Sequence, residues 1–142
     1  MGRVIYGEVV VAGSGAGPLL VADQPLSFWG GFDPRTGVIL DIHHPQRGQC
    51  LKDKILMMVE TRGSGSAPGN LAEAIRLGTA PAVILLVQPD INLSVGALVA
   101  ETLYGKTCVI ISVTPQRFSE LSKHAYLHIT HDGNVGPALD DA

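Results

Sequence analysis

The segment Thr61-Arg62-Gly63-Ser64-Gly65-Ser66-Ala67-Pro68-Gly69-Asn70 gathers the residue types that handle small anions. Glycines let a backbone approach a ligand closely, and Arg62 offers a fork matched to a carboxylate or phosphate. Ser64 and Ser66 place two hydroxyls at the same point. The segment follows the apolar run Ile55–Val59 and precedes a helical pattern, which puts it at the carboxyl end of a parallel strand, where open α/β sheets bind ligands. A helix start there also favours anions. A plain strand-to-helix connector uses the same residues, and both readings stay open on spacing alone. The Gly-Lys-Ser/Thr ending of a nucleotide P-loop is absent.

His43-His44-Pro45, with Asp41 two residues before and Cys50 after, presents imidazoles without a recognised zinc spacing. No metal site is expected in this chain. His43 and His44 remain candidates for substrate or interface contact, beside the plainer reading as a structural turn. Two cysteines, Cys50 and Cys108, are too few to hold an iron–sulfur cluster alone, and Cys108 reads as a buried apolar residue. Gly13-Ser14-Gly15-Ala16-Gly17 runs into Pro18 and strand-like residues where a dinucleotide fold would begin a helix, so it reads as a turn cluster. Phe28-Trp29, before Gly30-Gly31, reads as core.

The elements that must position these residues follow from the apolar pattern. In the first half, short strands are expected over 3–11, 19–21, 26–29 and 38–41, with turns around 13–18 and 33–37. The second half alternates continuous apolar runs (55–59, 82–87, 108–113, with a last strand over 125–130) with helical stretches. Such runs suit strands covered on both faces. The helices are expected over 70–77 with Asn70 as N-cap, over 94–104 starting at Ser94, and over 116–123 after Pro115. Together these predict an α/β domain: a largely parallel central sheet, helices on one face, and a second, mostly antiparallel β layer. A single domain over residues 1–135 is expected, with a frayed tail over 136–142.

Composition narrows the function classes. The chain has 142 residues, 46% hydrophobic and 16% charged, which excludes an intrinsically disordered chain. Ten Lys plus Arg against thirteen Asp plus Glu, with no basic block, argue against a phosphate-tracking nucleic-acid binder. No apolar stretch reaches the ~18 residues of a membrane span, and the N-terminal stretch reads as a strand and not as a signal peptide. The expected partners therefore include neither nucleic acid nor membrane, and the expected compartment is the cytoplasm.

A resemblance adds to these readings. Pro25-Leu26-Ser27-Phe28-Trp29-Gly30-Gly31-Phe32-Asp33-Pro34 and Gly37-Val38-Ile39-Leu40-Asp41-Ile42-His43-His44-Pro45 are similar to the opening of the aconitase X small (swivel) subunit family. Lys54-Ile55-Leu56, Arg62-Gly63-Ser64-Gly65-Ser66, Gly78-Thr79-Ala80-Pro81-Ala82 and Gln88-Pro89-Asp90 continue it across roughly residues 3–113. The resemblance implies a swivelling β/β/α domain that closes on a larger catalytic subunit, together forming a hydro-lyase that dehydrates a small hydroxy acid. Known members act on cis-3-hydroxy-L-proline or 5-phosphomevalonate. It implies that Ser64 is the proton acceptor, that Arg62, Gly63, Gly65 and Ser66 contact substrate, and that the iron–sulfur cluster belongs to the large subunit, leaving this chain without a cofactor of its own. A serine hydroxyl is a poor base until its alkoxide is stabilised, so the chain alone is expected to be inactive. The segment Val99–Gly105 looks like bacterial members and favours cis-3-hydroxy-L-proline over 5-phosphomevalonate.

Two rivals come from other classes. A phosphohistidine carrier shares the swivelling architecture but needs a histidine in the loop, and none lies between Thr61 and Pro81. A noncatalytic assembly subunit is the other.

Overall fold

The computed structural model describes residues 5–6 and 8–137. Its strands are β1 (Ile5–Tyr6), β2 (Glu8–Val11), β3 (Gly15–Val21), β4 (Phe32–Asp33), β5 (Val38–Ile39), β6 (Ile55–Met58), β7 (Val83–Leu86), β8 (Val109–Ser112), β9 (Tyr126–Ile129) and β10 (Asn134–Pro137). The helices are α1 (Ala67–Leu77), α2 (Ile91–Tyr104) and α3 (Pro115–Leu121).

Strands β3, β6, β7 and β8 pair in parallel, and every residue of β6, β7 and β8 apart from Ser112 is buried and apolar. That is why they read as unbroken apolar runs: both faces are covered. Residues of alternating parity supply the two faces. Leu56, Met58, Ile84, Leu86 and Ile110 pack with Leu71 and Ala74 of α1 and Leu93 and Ala97 of α2. Ile55, Met57, Val83, Leu85 and Ile111 pack instead with Leu121 of α3 and with Leu127, Ile129 and Val135 of β9 and β10. The antiparallel strands thus cover the second face, giving the expected β/β/α layering, with α3 seated on the same side as β9 and β10.

Strand β3 joins the two layers. Its first half, Gly15–Pro18, pairs antiparallel with β9, and its second half, Leu19–Val21, pairs parallel with β6. The 13–18 segment is therefore mostly strand where a turn cluster was expected. The glycines serve close crossing: a Cβ on Gly17 would lie 2.5 Å from the Asp53 carbonyl oxygen. A second correction concerns residues 26–29, which form no strand; Leu26 and Phe28 are buried there, but Trp29 points into solvent. The tail also differs from expectation, since Gly136 and Pro137 pair with His128 and Leu127; residues 138–142 lie outside the described residues.

Helix α1 starts earlier than Asn70. Ser66 is its N-cap and Pro68 occupies the first turn, where a missing N–H costs nothing. The Asn70 side chain is used elsewhere: its Nδ2 donates to the Phe28 carbonyl at 2.8 Å. Helix α2 likewise starts earlier than Ser94, at Ile91, with Asp90 as its cap. Gly96 lets α2 press against the first turn of α1, since a Cβ there would meet the Pro68 carbonyl oxygen at 2.5 Å. Among the described residues no helix is long and apolar enough to cross a membrane.

Candidate functional site

The carboxyl ends of β6, β7 and β8 open on one edge, and the 61–66 turn rises from the end of β6 into α1. Val87 N and Gln88 N donate to the Val59 carbonyl at 3.0 and 2.8 Å, extending the β6–β7 pairing to the base of the turn. Above it, Thr61 Oγ1 donates to Asp90 Oδ2, while Asp90 Oδ1 accepts from Leu93 N at 3.0 Å. One carboxylate thus caps α2 and holds the start of the turn.

Within the turn, Arg62 N donates to the Leu26 carbonyl at 3.1 Å, Ser66 N to Ser64 Oγ at 3.3 Å, and Ala67 N to the Ser64 carbonyl at 3.2 Å. Ser64 is half-buried; Arg62, Gly63, Gly65 and Ser66 are exposed. Ser66 makes no side-chain bond to its own helix, so its hydroxyl stands open at the N-terminus of α1. Among the described residues the Arg62 guanidinium has no carboxylate partner. A Cβ added to Gly63 or Gly65 would meet nothing within 4 Å, and neither residue has a positive φ. Nothing in the described fold requires glycine at these two positions.

The two histidines separate. His43 is exposed, with its backbone N donating to Asp41 Oδ1 at 2.9 Å. His44 is only 5% exposed, and both ring nitrogens meet backbone: Nε2 pairs with the Gln24 carbonyl at 2.9 Å and Nδ1 accepts from Gln46 N at 3.0 Å. Gln46 in turn grips Asp23, donating to its Oδ2 at 2.7 Å and accepting from its backbone N at 3.0 Å. His44 therefore locks two segments together and has no ring nitrogen left for a ligand.

The described residues do not fit an iron–sulfur cluster. Among the described residues no three His, Cys, Asp or Glu side chains gather to hold a metal. Cys108 is buried, and desolvation pushes its thiol up to about 12, away from the thiolate a metal requires. Cys50 Sγ lies against the Thr36 carbonyl.

Sequence reasoning missed three contributors at this edge. Thr61 and Asp90 sat in view as a loop residue and a turn residue, with no local signal that they meet. Trp29, expected in the core with Phe28, is instead 56% exposed.

The layering and the open strand edge define a swivelling β/β/α domain. Residues 4–136 match the family model of the aconitase X swivel domain, and the chain belongs to that family. It is 42% identical over 133 residues to cis-3-hydroxy-L-proline dehydratase of Pseudomonas aeruginosa, covering 94% of this chain and 23% of that one. It is 40% identical over 98 residues to the phosphomevalonate dehydratase small subunit of Thermococcus sibiricus, covering 68% of this chain and 74% of that one. The crystal structure of Thermococcus kodakaraensis aconitase X (holo-form) is similar with a TM-score of 0.77 at 25% identity, over 94% of this chain and 97% of that chain. The chain spans less than a quarter of the hydroxyproline dehydratases it matches, 23% and 21% of their lengths.

Proposed function

We propose that this chain is the swivel part of a hydro-lyase that dehydrates cis-3-hydroxy-L-proline, closing over a larger catalytic part that carries the iron–sulfur cluster. The observation that carries the reading is the 61–66 turn: two hydroxyls and a guanidinium without a carboxylate partner among the described residues, beside glycines that the described fold does not need. Similarity across 94% of the chain to a hydroxyproline dehydratase favours that substrate; 5-phosphomevalonate is the alternative.

In such a dehydration the proton on the carbon beside the carboxylate and the neighbouring hydroxyl both leave, and a double bond forms between the two carbons. Ser64 would accept the proton, with Arg62 holding the carboxylate. A serine hydroxyl is a weak base until its alkoxide is stabilised. The start of α1 supplies at most ~2 kcal/mol, about one and a half pKa units. Arg62 and exclusion of water when the larger part closes must supply the rest, so the chain alone should be inactive. The open Ser66 hydroxyl supports a second assignment, with Ser66 as acceptor and Ser64 Oγ tightening the turn through the Ser66 N–H.

The test is turnover by the complete enzyme supplied separately with cis-3-hydroxy-L-proline and 5-phosphomevalonate. Loss of one hydroxyproline C–O bond per cycle is expected; turnover of the phosphorylated acid alone would replace the substrate assignment.

A further inference from the structure

Three large apolar side chains stand in solvent beside the Arg62–Gly63 turn: Trp29 is 56% exposed, Leu40 49% and Ile42 67%. With Asp41 and Arg62 they line an open hollow of about 470 Å³. On the other side of Gly63 lies a groove of about 350 Å³ that contains Glu60 and Asp90. Gly63 lines both, so the turn is a ridge between two hollows of different chemistry. The Asp90 side carries two carboxylates and opposes an anion. The Trp29 side carries one guanidinium, Arg62, and one carboxylate, Asp41.

The frame of the Trp29 cavity is held while its side chains lie unpacked. Ser27 Oγ accepts from Trp29 N at 3.2 Å and donates to the Trp29 carbonyl at 2.8 Å. The Gly31 carbonyl accepts from Leu40 N at 2.9 Å and from Asp41 N at 3.4 Å. The Arg62 N–H on the Leu26 carbonyl and the Asn70 amide on the Phe28 carbonyl tie this wall to the serine turn. A frame ordered in advance lowers the entropy lost on binding. A mixed lining, with the Trp29, Leu40 and Ile42 side chains beside one group of each charge, complements a small zwitterion built on a hydrocarbon ring.

We propose that this cavity receives the ring and carboxylate of a small cyclic amino acid. Arg62 takes the carboxylate, Trp29 and Ile42 face the ring, and Asp41 and the indole face favour the ring ammonium. This rests on the hydroxyproline reading above and adds the side from which substrate meets the serines. A phosphorylated acid suits the hollow poorly, because its dianion would lie beside the Asp41 carboxylate with a single guanidinium to balance it.

The experiment uses the complete enzyme with Trp29→Ala and Ile42→Ala, and Leu103→Ala at the far end of α2 as a control on exposed apolar area. It reads KM for cis-3-hydroxy-L-proline, Kd for L-proline by calorimetry, and assembly by sedimentation. Trp29→Ala and Ile42→Ala should each raise KM and Kd about tenfold, the scale of a lost apolar wall, with assembly intact, and Leu103→Ala should change neither. Unchanged KM and Kd overturn the proposal, as does a loss of activity that tracks loss of assembly. Hydroxyproline turnover with a KM indifferent to Trp29 overturns the cavity and leaves the dehydratase reading standing. No turnover, with L-proline binding that depends on Trp29, overturns the dehydratase reading and supports the cavity. If the wild-type enzyme neither turns over hydroxyproline nor binds L-proline, both fall.

Discussion

Thr61 and Asp90 meet across the site edge: the Thr61 hydroxyl donates to Asp90 Oδ2 at 2.5 Å, while the other carboxylate oxygen caps α2 through Leu93 N. The start of the serine turn and the start of a second helix are therefore set by one side chain. Residues 29 positions apart are joined, and the turn is tied to the start of α2.

Asp90→Ala removes a helix cap and leaves the Thr61 hydroxyl without its acceptor. We expect a loss of about 1–2 kcal/mol in urea unfolding, with Thr61→Ser close to wild type because it keeps the donor. Equal stability of Asp90→Ala and wild type would show that the clamp holds nothing.

Gly63→Ala and Gly65→Ala separate folding from function. A methyl at either position enters open space on this chain, so thermal midpoints should stay within about 1–2 °C of wild type, the shift of a surface change well under 1 kcal/mol. On the proposed function, turnover of the complete enzyme should fall sharply, because there the added methyl would meet substrate or the larger part. Full activity in both variants would make the glycines incidental.

His44→Ala should unfold the chain more easily by about 2–3 kcal/mol, since it strands a carbonyl and an N–H that the ring now pairs. His43→Ala, at an exposed side chain, should leave the urea midpoint unmoved. The pair of measurements tells a lock from a ligand.

Cys108 gives a pH signature. Burial pushes its thiol from 9.0 to about 12 in the folded chain. Below about pH 9 both states hold the proton and the group leaves stability independent of pH. Above it the unfolded chain releases the proton first, and stability falls by up to ~1.4 kcal/mol per pH unit until the folded thiol also ionises. Urea midpoints at pH 8 and pH 10 should therefore diverge less in Cys108→Ala than in wild type; identical divergence would mean the thiol is not shielded.

Much of this fold was legible because the parallel strands are covered on both faces, which leaves runs such as Ile84-Leu85-Leu86 with no polar residue to confuse the period. What failed to read was long-range. Gly13–Gly17 resembles a turn cluster by composition, yet Gly17 is small because the Asp53 carbonyl crosses over it. Asn70 has the residue type of a cap, but the Phe28 carbonyl claims its side chain. Trp29 adjoins buried Phe28 and faces the opposite way. The Arg62–Ser66 turn was visible from its glycines and its place after a strand; the Thr61–Asp90 clamp and the His44 lock, whose partners lie 29 and 20 positions away, were not.

On the proposed function, a hydroxyl at the start of α1 takes the substrate's proton. Its most direct measurement is kcat of the complete enzyme on cis-3-hydroxy-L-proline with Ser64→Ala and, separately, Ser66→Ala. One of the two substitutions should lower kcat by about a hundredfold or more, the scale of a lost general base, with assembly intact and KM little changed. Both variants turning over at near wild-type rate would contradict it.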